Sequence, residues 1–176
     1  MLCSDEPEVR SVRDTDDEFR EFVRARSSAL LRTSYLLAGG DWALAEDLLQ
    51  AALTKTYLAW GRIEDRNAIE SYVRTTLATT ATSWWRRRWH GERATAAPPE
   101  RAGVDEASQF DERDALWRLV VQLPVRQRAV LVLRFYEDLS EAEIARTLGL
   151  STGTVKSHTF RALATLRTEL RMTGAS

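Results

Sequence analysis

The chain has 176 residues, of which 44% are hydrophobic and 29% charged, and this composition is typical of a globular protein with one domain or two small ones. Its net charge of −1 excludes a uniformly basic nucleic-acid binder, so any DNA-facing surface must come from local clustering of charge. The single cysteine, Cys3, excludes an internal disulfide. No apolar run is long enough for a signal peptide or a membrane span, and we therefore expect a cytoplasmic protein without membrane insertion.

The first half of the chain is predicted to be a disordered extension followed by a bundle of three helices. Residues 1–14 are polar and acidic, which predicts disorder. A helix is expected to begin near Asp16 or Asp17, and apolar residues then recur at helical spacing to about residue 90. The residues expected to end or cap these helices are Gly39, Gly40, Asp41 and Gly61. Large aromatic residues at helical spacing usually pack in the core, which we expect for Trp42, Trp60 and Trp117.

The third of these helices ends in the segment 83–89, SWWRRRW, where tryptophans stand on both sides of a run of three arginines. Tryptophan rings can stack on unpaired bases while arginine side chains contact phosphates. This combination suits single-stranded or melting DNA better than intact duplex. Taken alone, a run of arginines could equally be an ordinary solvated face.

The composition changes after this segment. Residues 91–110 contain Pro98-Pro99 and several alanines without apolar periodicity, which predicts a flexible linker. A short helix is expected around residues 116–120, followed by a break at Pro124 and another helix that runs to Tyr136. Residues 130–133 would suit a buried strand by propensity alone, but the flanking helical pattern favours a helix.

Residues 139–170 have the pattern of a helix-turn-helix. Ser140 and Glu143 have the spacing of a capping box, and Gly149 ends the first helix. Ser151 can cap the second helix, whose apolar residues share one face. The opposite face carries Ser157 and Arg161. An apolar back and a polar, basic front are typical of a recognition helix in the major groove, although an ordinary pair of packed helices is the alternative.

The order and spacing of these segments resemble the extracytoplasmic-function (ECF) sigma factors of the sigma-70 family over about residues 17–170. The matching segments are 45–50 (AEDLLQ), 83–89, 123–134, 138–145 (DLSEAEIA) and 153–157 (GTVKS). The resemblance implies an all-α fold of two small helical domains joined by a flexible linker. Region 2, a helical bundle, would cover residues 15–90, and region 4, with the helix-turn-helix, would cover residues 111–173.

The resemblance also implies partners and contact residues. Core RNA polymerase would be bound through the clamp helices of its largest subunit and through its flap. The residues implied in polymerase binding are Asp47, Gln50 and Thr54, which also form one polar stripe at i, i+3 and i+7. The residues implied in capturing melted minus-ten bases are Thr79, Trp85, Arg86, Arg87, Arg88 and Trp89. The residues implied in reading the duplex minus-thirty-five element are Arg146, Thr152, Thr154, Lys156, Ser157, His158, Phe160 and Arg161.

Two positions depart from the family pattern. Thr79 stands where many relatives have Asn, within a threonine-rich stretch whose β-branched side chains lower helix propensity. His158 stands where an Arg is common, and a neutral imidazole at pH 7 would contact phosphate more weakly. Charge segregation predicts that the free protein binds promoters weakly, with its basic surfaces masked by its acidic segments or by an anti-sigma factor.

Three other classes of protein are alternatives to a sigma factor. A stand-alone helix-turn-helix regulator would need a ligand pocket or dimer interface in its first half. An enzyme is disfavoured because His90 and His158 lie far apart, and the sequence has neither a glycine-rich phosphate loop nor a Cys/His metal set. We therefore expect no catalytic residue, no metal and no cofactor. The third alternative is an interaction module that keeps the sigma fold but has lost promoter recognition.

Overall fold

The structure, a computed structural model, describes residues 12–63, 65, 68–91 and 114–172. Within these residues the chain forms α-helices and no β-strand, so the all-α prediction is confirmed. In chain order the helices are α1 (Val12–Leu37), α2 (Trp42–Ala59), α3 (Ala68–Gly91), α4 (Asp114–Val120), α5 (Val125–Leu131), α6 (Glu141–Leu148) and α7 (Thr152–Met172). A 3₁₀ turn, Trp60–Arg62, follows α2, and a π-helical turn, Val132–Tyr136, follows α5. None of the helices in the described ranges is long and apolar enough to cross a membrane.

The helix boundaries differ from the sequence predictions at both ends of the first half. Helix α1 begins at Val12, four residues before the expected start at Asp16, so its first turn falls inside the stretch predicted to be disordered. Asp14 lies in that turn, where a carboxylate interacts favourably with the helix dipole. Helix α3 continues to Gly91, the first residue of the predicted linker. Most of the predicted extension and linker lies outside the described residues.

A tight glycine turn joins α1 to α2. Gly39 and Gly40 have φ angles of +75° and +84°, in the left-handed region where a side chain is strained, and this is why α1 ends where the sequence predicts. Across the turn, the rings of Tyr35 and Trp42 stack with their centroids 4.3 Å apart. The turn therefore directs α2 back along α1.

Helices α1, α2 and α3 with the 3₁₀ turn form what we call the N-terminal bundle. Asp41 caps α2 as the sequence predicts, because its carboxylate accepts a hydrogen bond of 3.1 Å from the Leu44 amide. Trp60 is the largest core residue and is only 2% exposed. The rings of Phe19 and Phe22 pack against it at centroid distances of 5.1 and 5.5 Å. The predicted core role of Trp60 is confirmed.

Helices α4 to α7 form what we call the C-terminal domain. The expected break at Pro124 is confirmed, since α5 begins at the next residue. Residues 130–133 are helical and π-helical and are fully buried, which settles the choice between strand and helix. Helix α6 has the predicted capping box, and Gly149 ends it with a φ of +64°. Ile144 of α6 and Val155 of α7 are completely buried and join the two helices of the helix-turn-helix.

The two domains pack against each other through a buried arginine. Arg128 of α5 is 4% exposed, and its Nε donates a hydrogen bond of 3.2 Å to the Leu37 carbonyl at the end of α1. Its Nη1 donates to the carbonyls of Val121 and Leu123 at 2.9 and 3.0 Å. Arg128 therefore ties the first helix of the N-terminal bundle to the C-terminal domain.

A second contact between the domains surrounds Glu137, which follows the π-helical turn. Its carboxylate pairs with Arg74 Nε of α3 at 2.5 Å, and it also accepts a hydrogen bond from the Thr33 hydroxyl of α1. The Glu137 side chain is only 6% exposed. The buried apolar residues of both domains accordingly belong to one continuous core.

Candidate polymerase and promoter interface

The polar stripe predicted on α2 is exposed. Asp47, Gln50 and Thr54 are all accessible to solvent, whereas Leu48 and Ala52 between them are buried in the bundle. The Thr54 hydroxyl donates to the backbone carbonyl of Gln50 at 2.8 Å, so it bonds within the helix. The stripe is therefore a surface that a partner protein can reach.

At the end of α3, the aromatic and basic side chains differ in their exposure to solvent. Arg86 and Arg87 are exposed, whereas Trp84 and Trp85 are half-buried. Trp84 packs against the core, and the Trp85 ring lies 5.7 Å from the Arg128 guanidinium carbon of the C-terminal domain. The side chains of Arg88 and Trp89 lie outside the described part of the chain.

Thr79 is half-buried, and its hydroxyl donates to its own helix. The acceptors are the carbonyls of Thr75 at 2.8 Å and Thr76 at 3.2 Å. Thr82 makes the same kind of bond to Ala78, so both hydroxyls are satisfied within a continuous α-helix. The Thr79 hydroxyl therefore bonds to the backbone of its own helix.

Helix α7 is apolar on one side and polar on the other. Val155, Ala162 and Leu166 are buried, as the predicted apolar face requires. Of the predicted contact residues in its N-terminal half, those exposed to solvent are Thr152, Lys156, Ser157, Phe160 and Arg161, and Thr154 is half-buried. Arg146, on α6, is also exposed. These side chains lie around the start of one helix, which is the arrangement that a recognition helix presents to a major groove.

Local hydrogen bonds fix the start of α7. Ser151 caps the helix as predicted, because its hydroxyl accepts a bond of 3.1 Å from the Thr154 amide. The ammonium of Lys156 lies 3.7 Å from the Glu141 carboxylate at the start of α6. Because the pair is exposed, it is weak and can exchange for a phosphate.

His158 differs from its neighbours on α7. It is half-buried, and its Nδ1 is enclosed without a hydrogen-bond partner among the described residues. Burial lowers the pKa of His158, and the nearby positive charges of Arg126 and Arg161 lower it further. The imidazole is therefore neutral at pH 7 and turned partly towards the protein, so it adds no positive charge to the outer face of α7.

Both domains match models of the same protein family. The sigma-70 region 2 model matches residues 22–91, and the sigma-70 region 4 model matches residues 113–166. The chain is 44% identical over 153 residues to the RNA polymerase sigma-E factor of Streptomyces coelicolor, an alignment that covers 87% of this chain and 86% of the relative. This chain belongs to the sigma-70 family.

A second relative identifies the type of sigma factor. This sigma factor is 32% identical over 171 residues to the ECF RNA polymerase sigma factor SigL of Mycobacterium tuberculosis, covering 86% of this chain and 95% of SigL. Its fold is similar to that of the sigma factor RpoE from Bartonella quintana, which was solved in complex with the anti-sigma factor NepR. The TM-score is 0.62 and the sequence identity 23%, and the match covers 88% of this chain and 98% of RpoE. The protein is an ECF sigma factor that directs promoter-specific initiation by RNA polymerase, and the matches favour this function over a stand-alone regulator.

Sequence reasoning missed three polar residues in this sigma factor. Arg74, Arg128 and Glu137 hold the two domains together, although each lies in a segment where a charged helical residue normally faces solvent. Their partners in the other domain are far away in the sequence: Arg74 and Glu137 are 63 positions apart, and Arg128 and Leu37 are 91 positions apart. No local pattern in the sequence indicates these contacts.

Proposed function

We propose that this sigma factor acts in the cytoplasm and that three of its helices contact polymerase and promoter DNA. The exposed stripe of α2 binds core RNA polymerase, the end of α3 captures melted minus-ten bases, and α7 reads the minus-thirty-five element as duplex. The observation that carries this assignment is the two-sided character of α7, with a completely buried apolar back and an exposed polar front within the match to region 4.

The geometry of α7 supports duplex reading. A single helix with its side chains is roughly 10–12 Å wide, which fits the B-DNA major groove of about 12 Å. Lys156 and Arg161 supply positive charge for phosphates or guanine edges, and Ser157 supplies a hydroxyl between them. Phe160, 72% exposed, adds an apolar contact suited to the methyl group of thymine.

The exposure of the side chains at the end of α3 supports a role near melted DNA. Arg86 and Arg87 are exposed, so they can reach the phosphate backbone, and they follow Trp85 directly in the sequence. A tryptophan ring stacks on an unpaired base with about 1–3 kcal/mol, independently of the identity of the base. Sequence preference at the minus-ten element then depends on neighbouring positions, of which Thr79 is one.

The α2 stripe supports polymerase binding by its accessibility and its chemistry. Asp47 and Gln50 offer a carboxylate and an amide on one rigid, exposed helix face. Polar groups held on a helix dock with little loss of conformational entropy, because the backbone is already ordered.

The assignment is tested by transcription from a genomic DNA library with purified core polymerase, with and without the protein, followed by mapping of RNA 5′ ends. New start sites that share two upstream motifs are the expected result. The paired variants are Lys156→Ala with Arg161→Ala in the front of α7, and Arg167→Ala, an exposed arginine further along the same helix, as the control. New starts that survive the double substitution unchanged would reject α7 as the reader of the minus-thirty-five element.

A further inference from the structure

His158 lies at the border between the buried back and the exposed front of α7. It comes three residues after Val155, which is completely buried, and directly after Ser157, which is exposed to solvent. Because successive residues of an α-helix are rotated by about 100°, the imidazole is displaced sideways from Ser157 and Phe160 at the front of the helix. His158 therefore lies on one flank of α7 and not on the surface that would face the bases.

The flanks of a helix in the major groove face the sugar-phosphate backbone. A helix with its side chains is roughly 10–12 Å wide and the groove about 12 Å, so the sides of the helix approach the two strands that form the groove walls. The phosphate oxygens there accept hydrogen bonds, so a residue on the flank needs a donor group. Lys156 and Arg161 are cationic donors on the same helix, whereas His158 can donate without a charge.

The two ring nitrogens of His158 have different surroundings. Nδ1 is enclosed without a hydrogen-bond partner, whereas Nε2 is not enclosed and bonds to none of the described residues, so solvent reaches it. A neutral imidazole carries its proton on one of the two nitrogens. A proton on Nδ1 would be a buried donor without an acceptor, which is unfavourable, whereas a proton on Nε2 can bond to water. The preferred neutral form therefore has its proton on Nε2, where an incoming acceptor can meet it.

The surroundings of the imidazole also oppose a second proton. Burial lowers the pKa of His158, and the positive charges of Arg126 on α5 and Arg161 on α7 lower it further. Among the described residues, neither arginine forms an ion pair that would offset its charge. The second proton would have to sit on the enclosed Nδ1. His158 is therefore held in its neutral form by its two arginine neighbours and by the site of its own Nδ1.

We propose that His158 donates a hydrogen bond from Nε2 to a backbone phosphate beside the minus-thirty-five element and stays neutral while it does so. The inference rests on the proposed function, because it takes α7 as the helix that enters the major groove. A cationic side chain at this position would be a third positive charge beside Arg126 and Arg161, and like charges at this spacing repel. A neutral donor avoids this repulsion and positions the DNA backbone through the direction of one hydrogen bond.

DNA binding by the complex of core polymerase and the full-length protein tests this contact. The probe is a labelled duplex from a promoter found by mapping RNA 5′ ends, which contains the minus-thirty-five element and ends before the minus-ten element, so that no base pair has to melt. Fluorescence anisotropy gives the dissociation constant between about 50 and 200 mM salt. A duplex of the same length with a scrambled element measures non-specific binding.

His158→Gln and His158→Asn distinguish the two ring nitrogens. The amide nitrogen of glutamine reaches about as far as Nε2, and that of asparagine about as far as Nδ1. We expect His158→Gln to bind within about twofold of the wild type, and His158→Asn and His158→Ala to lose about threefold to tenfold in affinity. Thermal unfolding of each variant checks that the C-terminal domain still folds.

The salt and pH dependence of binding test the neutrality of the contact. Each phosphate neutralised by a cation changes the slope of log affinity against log salt by about 0.9. His158→Ala should therefore leave the slope unchanged, His158→Arg should steepen it, and Lys156→Ala should make it shallower. The wild type and His158→Gln should have parallel pH profiles of binding between about pH 6 and 8, because neither takes up a proton with the DNA.

The outcomes separate this inference from the proposed function. Equal binding by His158→Asn and His158→Gln, a shallower slope for His158→Ala, or wild-type affinity that rises relative to His158→Gln as the pH falls would each overturn the neutral contact. The expected order of affinities with an unchanged slope supports it. A scrambled duplex that binds as tightly as the promoter, with no effect of Lys156→Ala, would instead reject α7 as the helix that reads the minus-thirty-five element.

Discussion

Ser140 and Glu143 bond to each other's backbone at the start of α6. The Ser140 amide donates to the Glu143 carboxylate at 2.8 Å, and the Glu143 amide donates to the Ser140 hydroxyl at 3.3 Å. The two hydrogen bonds satisfy amides that would otherwise lack partners at the helix end. The Ser140 hydroxyl also donates to the Glu143 carboxylate at 2.6 Å. This bond, together with the one from the Ser140 amide, lowers the pKa of Glu143, because both favour its ionised form.

Replacing Ser140 with Ala should destabilise the protein by about 1 kcal/mol, since α6 loses its N-cap. For a chain of this size, that change lowers the thermal unfolding midpoint by about 2–4 °C. The control is Thr168→Ala, an exposed position inside α7 whose hydroxyl bonds to the Ala164 carbonyl of the same helix. Calorimetry that gave equal midpoints for Ser140→Ala and the control would show that the capping box does not stabilise α6.

Acidification should destabilise the C-terminal domain through His158. The pKa of this imidazole is lowered in the folded protein from its ordinary value of 6.5, so the unfolded chain takes up the proton first as the pH falls. The stability is therefore complete above pH 6.5 and decreases as the pH falls from there through the lowered pKa. Urea midpoints of the wild type and of His158→Gln, measured between about pH 7.5 and 5, test this difference. Parallel pH profiles for the two proteins would contradict it.

Phe160 should distinguish thymine from uracil in the minus-thirty-five element. Removing one methyl group from an apolar contact costs about 0.8 kcal/mol, or about a fourfold loss of affinity. Deoxyuridine is substituted at each thymine in turn, and binding of the polymerase complex is measured. The wild type should lose affinity at the contacted thymine, whereas Phe160→Ala should bind both bases equally. Phe135→Ala, at an exposed phenylalanine of the π-helical turn, serves as control and should keep the wild-type discrimination.

Asp47→Ala and Gln50→Ala should each weaken binding to core polymerase by about tenfold, which corresponds to about 1.4 kcal/mol. The physical reason is the loss of a polar group from a preformed helix face that a partner covers. Fluorescence anisotropy of the labelled sigma factor, titrated with core polymerase, measures the change. Asp17→Ala removes the same charge from an exposed site on α1 and should leave the affinity unchanged. Equal affinities for all three variants would exclude the stripe from the polymerase interface.

Local signals in the sequence predicted most of the helix boundaries. Asp41, Ser140 and Ser151 cap the helices that follow them, because a side-chain oxygen at an N-cap needs only amides two or three residues ahead. The predicted start of α1 was wrong because few apolar residues mark its first turn. Exposure on α2 and α7 was also predictable, since helical spacing alone separates a buried face from a solvated one.

The contacts between the two domains could not be predicted in the same way. Arg128 sits between Gln127 and Ala129 in an ordinary helical run, and nothing nearby in sequence indicates that it is buried. Its acceptor, the Leu37 carbonyl, is 91 positions away. Glu137 likewise meets Thr33 only after the chain has folded back over 104 positions. Contacts of this kind depend on tertiary packing, which periodicity and capping rules do not describe.

The choice of backbone oxygens as the acceptors for Arg128 has an evolutionary consequence. Every residue carries a main-chain carbonyl, so the side chains at positions 37, 121 and 123 can change without removing a hydrogen bond. An alignment of relatives would therefore show no co-varying pair of positions at the Arg128 contacts, because only the arginine is under selection for its side chain. Contact prediction from co-variation would miss Arg128.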